Sequence, residues 1–116
     1  MSIKKIPPSE FKVMKFIWGV NEIVTSKKVV EIMEEKYGWK TTTTLTLLKN
    51  LVNKHFLCAE KIDRFTHYTI IVGEEEYKKF ETKYFLENIH DNSTESLFNS
   101  LKACCSQKNK KGDVSK

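Results

Sequence analysis

The sequence predicts a mainly α fold with a small β-hairpin: three helices and the hairpin, then two further helices. Three observations predict it. Apolar residues recur at helical spacing in five segments, two β-branched and aromatic runs lie side by side after the third, and capping or stop residues mark the helix ends.

Pro7-Pro8-Ser9 opens the first helix, because proline suits a first turn and Ser9 can cap the amides there. Phe11, Met14, Ile17 and Trp18 form its buried face, and Gly19 stops it after Trp18. Thr25 or Ser26 caps the second helix, whose inward stripe is Val29, Val30, Met33 and Tyr37 and whose end is Gly38. Two short helices do not make a stable domain, so the third segment decides the reading.

That segment runs from Thr41 to about His55. At 100° per residue from Thr42, the side chains of Leu45, Leu47, Leu48, Leu51 and Val52 fall between about 140° and 300°. The opposite arc holds Thr42, Thr43, Thr46, Lys49, Asn50, Asn53 and Lys54, with no carboxylate. Hydroxyls, amides and lysines donate to phosphate oxygens and read base edges, and threonine methyls can touch thymine. Thr41 to Thr44 are poor helix formers, because a branched Cβ loses rotamer freedom. A capping run accounts for Thr41 to Thr43 taken alone. Thr46, Lys49, Asn50 and Asn53 on the same arc favour a DNA-reading face, and Lys40 just before the helix joins the candidates.

Phe56 to Ile62 and His67 to Val72 then read as a two-stranded hairpin around Asp63-Arg64-Phe65-Thr66, with the chain's one arginine at its tip. Three helices and such a hairpin are the plan of a winged helix-turn-helix. In that plan the third helix enters the major groove and the wing touches flanking backbone or minor groove, which makes Arg64 a DNA-contact candidate.

Gly73-Glu74-Glu75-Glu76 opens a fourth helix, with carboxylates where the helix dipole favours them. Its apolar positions are Tyr77, Phe80, Tyr84, Phe85 and Ile89. Asp91-Asn92-Ser93 breaks it, and Ser93 or Thr94 caps a fifth helix with Leu97, Phe98, Leu101, Cys104 and Cys105 along one stripe. These stripes predict a homodimer contact through Tyr77, Phe80, Tyr84, Phe85, Leu97, Phe98 and Leu101, with packing back on the module as the alternative. The expected organisation is a winged-helix domain over 1–73, a dimerisation region over 74–105 and a polar, disordered tail over 106–116.

Composition agrees. The 116 residues suit one small domain with an appendage, and the net charge is +5. Residues 1–72 carry twelve basic against seven acidic side chains, 73–107 four against seven, and 108–116 four against one. A basic module followed by an acidic helical segment fits double-stranded DNA and a separate self-association element; a solvated lysine-rich surface fits the charge equally well. No apolar run reaches the roughly 20 residues that span a bilayer, and Met1 to Pro8 lack the apolar stretch of a signal peptide. Three cysteines, two of them adjacent, do not suit a disulfide framework, which points to the cytoplasm. Four glycines form no phosphate loop, and the three histidines are isolated. No catalytic residues, metal site or cofactor are therefore expected. Cys104 and Cys105 read as helix packing, with a thiol or metal sensor as the sharper alternative.

Ser9-Glu10-Phe11-Lys12-Val13-Met14-Lys15-Phe16-Ile17-Trp18, then Thr42-Thr43 with Thr46-Leu47-Leu48, Leu51, Lys54 and Leu57, then Arg64 with Tyr68-Thr69, stand in the order of one known pattern. In these residues the chain resembles the penicillinase and copper repressor family of bacterial winged-helix regulators, the BlaI/MecI/CopY type, over about residues 6–101. The resemblance implies a dimeric repressor on a dyad operator with TACA and TGTA half-sites, with Thr42, Thr43 and Thr46 as operator contacts and Arg64 as a wing contact. It also implies a separate sensor and protease system in the β-lactam branch, or copper binding by a C-terminal cysteine cluster in the other. Asn50 stands where the family often has Arg, His55 and Asp63 where it has Gly, and Ile70 where it has Pro. Ser100-Leu101 replaces the scissile Asn-Phe, and residues 106–116 replace a final Glu- and Leu-rich helix, which implies a weaker dimer. The alternative reading is a winged-helix protein-interaction module that has lost sequence-specific DNA binding, motivated by Asn50, Asp63 and the shortened C-terminus.

Overall fold

The computed structural model describes residues 3–112, with side chains through Cys105. Its elements are α1 (Pro8–Val20), β1 (Val24–Thr25), α2 (Ser26–Tyr37), α3 (Thr41–Asn53), β2 (Leu57–Ile62), β3 (Phe65–Ile70), α4 (Glu74–Asn88) and α5 (Thr94–Gly112). The chain divides into two compact units, Met1–Tyr77 and Lys78–Lys116. The division falls inside α4 rather than at Gly73.

Proline starts α1 as expected, but Pro7 is the N-cap and no side chain caps it, so Ser9 lies inside the helix. The helix also runs past Gly19. It ends where Asn21 turns left-handed at φ 57° and donates its N–H to Ile17 O, a conformation that Asn tolerates because its short polar side chain can bond locally. The buried face is Glu10, Val13, Met14, Ile17 and Trp18, rotated from the expected one toward Val13, and Phe11 stays at the margin. In α2 the Thr25 hydroxyl accepts the Lys28 N–H at 3.2 Å and Gly38 closes the helix at φ 71°. Val29 and Met33 are fully buried, Val30 is half-buried, and Tyr37 is exposed, stacked on Trp39 at 4.9 Å.

The sheet has three strands in the order β1-β3-β2. Sequence periodicity found the hairpin but not β1, since two residues carry no period. Pairing runs from Leu57↔Ile70 to Ile62↔Phe65, so the turn is Asp63-Arg64 alone, and Phe65 and Thr66 belong to the strand. Asp63 holds φ 59° and His55, after α3, holds φ 65°. At both positions glycine would meet the same backbone demand without a Cβ penalty. Tyr68 faces the core, and burial pushes its hydroxyl above the usual tyrosine range, so it packs as a neutral phenol.

Tyr77 corrects the expected division of labour. It is 1% exposed, its ring centroid lies 5.5 Å from that of Phe56 and 5.9 Å from that of Trp18, and its Oη accepts the Ile6 N–H at 3.0 Å. The first turn of α4 therefore completes the winged-helix core, and Tyr77 is withdrawn from any exposed dimer face. Trp18 is fixed the same way, donating its Nε1–H to Val72 O at 2.9 Å.

In the second unit Ser93 caps α5, its hydroxyl accepting the Ser96 N–H at 3.0 Å, after Asp91 and Asn92 turn left-handed at φ 50° and 65°. His90 is buried in this turn, its Nδ1 2.8 Å from Ser96 Oγ and its ring edge-on to Phe85 at 4.9 Å. The helix continues to Gly112 rather than closing at Cys105, because no proline or turn signal interrupts residues 106–111. The expected tail thus overlaps α5 to Gly112, and 113–116 lie outside the described residues. Cys104 and Cys105 are exposed rather than packed, and Cys58 is exposed as well.

Candidate nucleic-acid interface

Packing of α3 on α1 and α2 decides which of its faces is left to solvent. The buried residues are Thr44, Leu48 and Leu51, between about 180° and 240° on the wheel. Thr44 was legible there at about 200° and explains the fourth threonine, which fills a core position, with no hydrogen-bond partner for its Oγ1 among the described residues. Leu47 and Val52 are half-buried. Leu45, at about 300°, is 41% exposed and joins the outward face.

Thr42, Thr43, Thr46, Lys49 and Asn53 are all exposed on that face, and Lys40 is exposed at the N-cap. The first turn of α3 contains no acidic residue, so its free backbone amides and the positive end of the helix dipole meet hydroxyls rather than carboxylates. The face therefore combines a helix N-terminus, hydroxyl donors, two amide or ammonium groups and an apolar side chain suited to a thymine methyl.

Asn50 is placed differently. At about 80° on the wheel it borders the α1 contact, is half-buried, and donates from Nδ2 to Glu10 Oε2 at 3.2 Å. Lys54 Nζ meets the other oxygen, Glu10 Oε1, at 2.7 Å. Glu10 is 3% exposed, so this carboxylate at α3 is neutralised and hidden by two residues that the sequence placed among potential DNA contacts. The link holds the C-terminal half of α3 to α1. Glu10→Ala leaves Lys54 and Asn50 without this partner. We expect it to cost about 1–3 kcal/mol of stability in urea denaturation, with Glu10→Gln recovering part of the loss through hydrogen bonding.

At the wing, Arg64 is exposed in the turn that Asp63 makes possible, flanked by exposed Ile62 and Phe65. Of the residues proposed for self-association, Tyr84, Phe85, Phe98 and Leu101 are exposed, Phe80 and Leu97 are half-buried, and Tyr77 belongs to the other unit's core. Phe85, Leu97 and Leu101 line a groove of about 440 Å³ with Glu81 and Thr82. Among the described residues no group of three His, Cys, Asp or Glu is placed to hold a metal ion, and no helix is long and apolar enough to cross a membrane.

Comparison with known proteins gives concordant matches. A family model described as penicillinase repressor matches residues 6–111. The chain is 33% identical over 85 residues to an uncharacterised 16.5 kDa protein of Latilactobacillus sakei, covering 73% of this chain and 58% of that protein, so it spans less than two thirds of that relative's length. It is 29% identical over 94 residues to a penicillinase repressor of Staphylococcus aureus, covering 80% and 73% of the two chains. With the methicillin resistance regulatory protein MecI of the same species the identity is 25% over 93 residues, covering 80% and 75%. The solution structure of the DNA-binding domain of the repressor BlaI superposes with a TM-score of 0.60 at 29% identity, covering 66% of this chain and 92% of that one.

Proposed function

This chain belongs to the penicillinase repressor family, and from that premise we propose that it is a transcriptional repressor that binds a dyad operator as a homodimer. One observation carries the reading. The outward face of α3 presents Thr42, Thr43, Thr46, Lys49 and Asn53 without a carboxylate, and the Glu10 carboxylate beneath it is buried and paired. Bases are read by this face, Leu45 adds a thymine-methyl contact, and Lys40 and Arg64 hold phosphates. Asn50 serves the α1 contact instead.

Self-association falls to the second unit, through Tyr84, Phe85, Phe98 and Leu101, with Phe80 and Leu97 behind them. Two copies related by a two-fold axis then meet two half-sites, so operator symmetry mirrors protein symmetry. The protein acts in the cytoplasm as a binder rather than an enzyme, and its release would fall to a separate sensor system. The interaction-module alternative rested on Asn50, Asp63 and the shortened C-terminus, and the first two have a structural account: Asn50 pairs with Glu10, and Asp63 occupies a left-handed turn position.

Selection from a random duplex pool tests the proposal. Enrichment of a two-fold symmetric site is expected, and enrichment of no site contradicts it. The wing turn gives a further prediction. Asp63→Gly keeps the left-handed turn and removes a negative charge beside Arg64, so binding to every duplex is expected to tighten about two- to fivefold at low salt, as read by fluorescence anisotropy.

A further inference from the structure

The tip of the wing carries an apolar pair that the repressor reading leaves without a role. Ile62 and Phe65 are partners across the hairpin, next to the turn, and are 43% and 42% exposed. Strand alternation explains the exposure. Phe65 lies three residues before Tyr68, which faces the core, so Phe65 and its cross-strand partner Ile62 point to the opposite face of the ribbon. Two cations lie at the pair: Arg64 is exposed in the turn beside Asp63, and Lys27 from the first turn of α2 places Nζ 5.9 Å from the Phe65 ring centroid, whereas Lys61 alternates to the other face of the ribbon. An apolar tip with a cation on either side, on the hairpin that flanks α3, matches one surface well: the minor groove, where apolar deoxyribose edges lie between two rows of phosphates.

We propose that Ile62 and Phe65 form an apolar clamp on the deoxyribose edges of the minor groove beside each half-site, with Arg64 and Lys27 on the bordering phosphates. The inference rests on the DNA-binding reading and adds to the wing's ionic contact an apolar one. Apolar contact with sugars releases no counterions, so its contribution is independent of salt, whereas those of Arg64 and Lys27 are not. A narrow groove brings both walls to the pair, so flanks rich in A·T are favoured over G·C flanks.

The test compares the unmodified chain with the double variant Ile62→Thr plus Phe65→Thr, which keeps β-branched strand formers at two exposed positions. Each is titrated at several salt concentrations against the selected operator with A·T flanks and against the same operator trimmed at the half-sites. The unmodified chain is expected to prefer the flanked duplex. In the double variant that preference is expected to fall about tenfold with the slope of log K against log salt retained, while Arg64→Ala lowers the slope by about one. An undiminished preference in the double variant overturns the clamp and leaves the repressor reading standing. Failure of the unmodified chain to bind either duplex overturns both.

Discussion

Tyr77→Ala is expected to remove about 3–5 kcal/mol from the stability of the winged-helix unit, a large fraction of what a domain of this size has to lose. The ring is fully buried against Phe11, Trp18 and Phe56, so its deletion leaves a cavity walled by other aromatics, which are too rigid to collapse into it. It also removes the acceptor of the Ile6 N–H, which anchors the N-terminal segment. Tyr77→Phe separates the two effects. It keeps the ring, strands one buried donor and is expected to cost about 1–3 kcal/mol. Urea denaturation followed by the fluorescence of Trp18 and Trp39 measures both. A loss below 1 kcal/mol for Tyr77→Ala would mean that the start of α4 is an appendage after all.

The second large effect lies on α3 and separates reading from holding. Thr46→Ala removes a hydroxyl and methyl from the face proposed to read bases. It is expected to lower the preference for operator over scrambled duplex by about 1–3 kcal/mol, roughly 5- to 150-fold, with little change in salt dependence. Lys49→Ala is expected to weaken binding to all duplexes alike and to lower the salt slope by about one. Both side chains are exposed, so neither change should lower the denaturation midpoint. Equal losses on all sequences from Thr46→Ala would place the reading face elsewhere on the helix.

Much of this was legible in the chain because helical periodicity reports burial directly. The wheel of α3 separated its outward threonines and lysine from Leu48 and Leu51 before any coordinates, and Thr25, Gly38 and Ser93 marked helix ends by their backbone chemistry. What escaped was whatever depends on a partner distant in sequence. Glu10 reads as an ordinary first-turn carboxylate until Asn50 and Lys54 are brought to it. Tyr77 has the same spacing to Phe80 and Tyr84 as a stripe residue, and only its contacts with Ile6 and Phe56 show that it belongs to the winged-helix core. β1 is too short to carry a pattern, and Leu45, at the edge of the apolar arc, could have turned inward or outward.

On the proposed function, the acid-free face of α3 reads a symmetric operator. The most direct test is fluorescence anisotropy, at two salt concentrations, on a duplex with the TACA and TGTA half-sites that the family resemblance implies, against a scrambled duplex of equal length. Strong preference for the dyad, persisting at the higher salt with a steep, dimer-dependent titration, is the predicted result. Equal binding to both duplexes that vanishes together as salt rises would contradict it, leaving a basic surface that holds DNA without reading it.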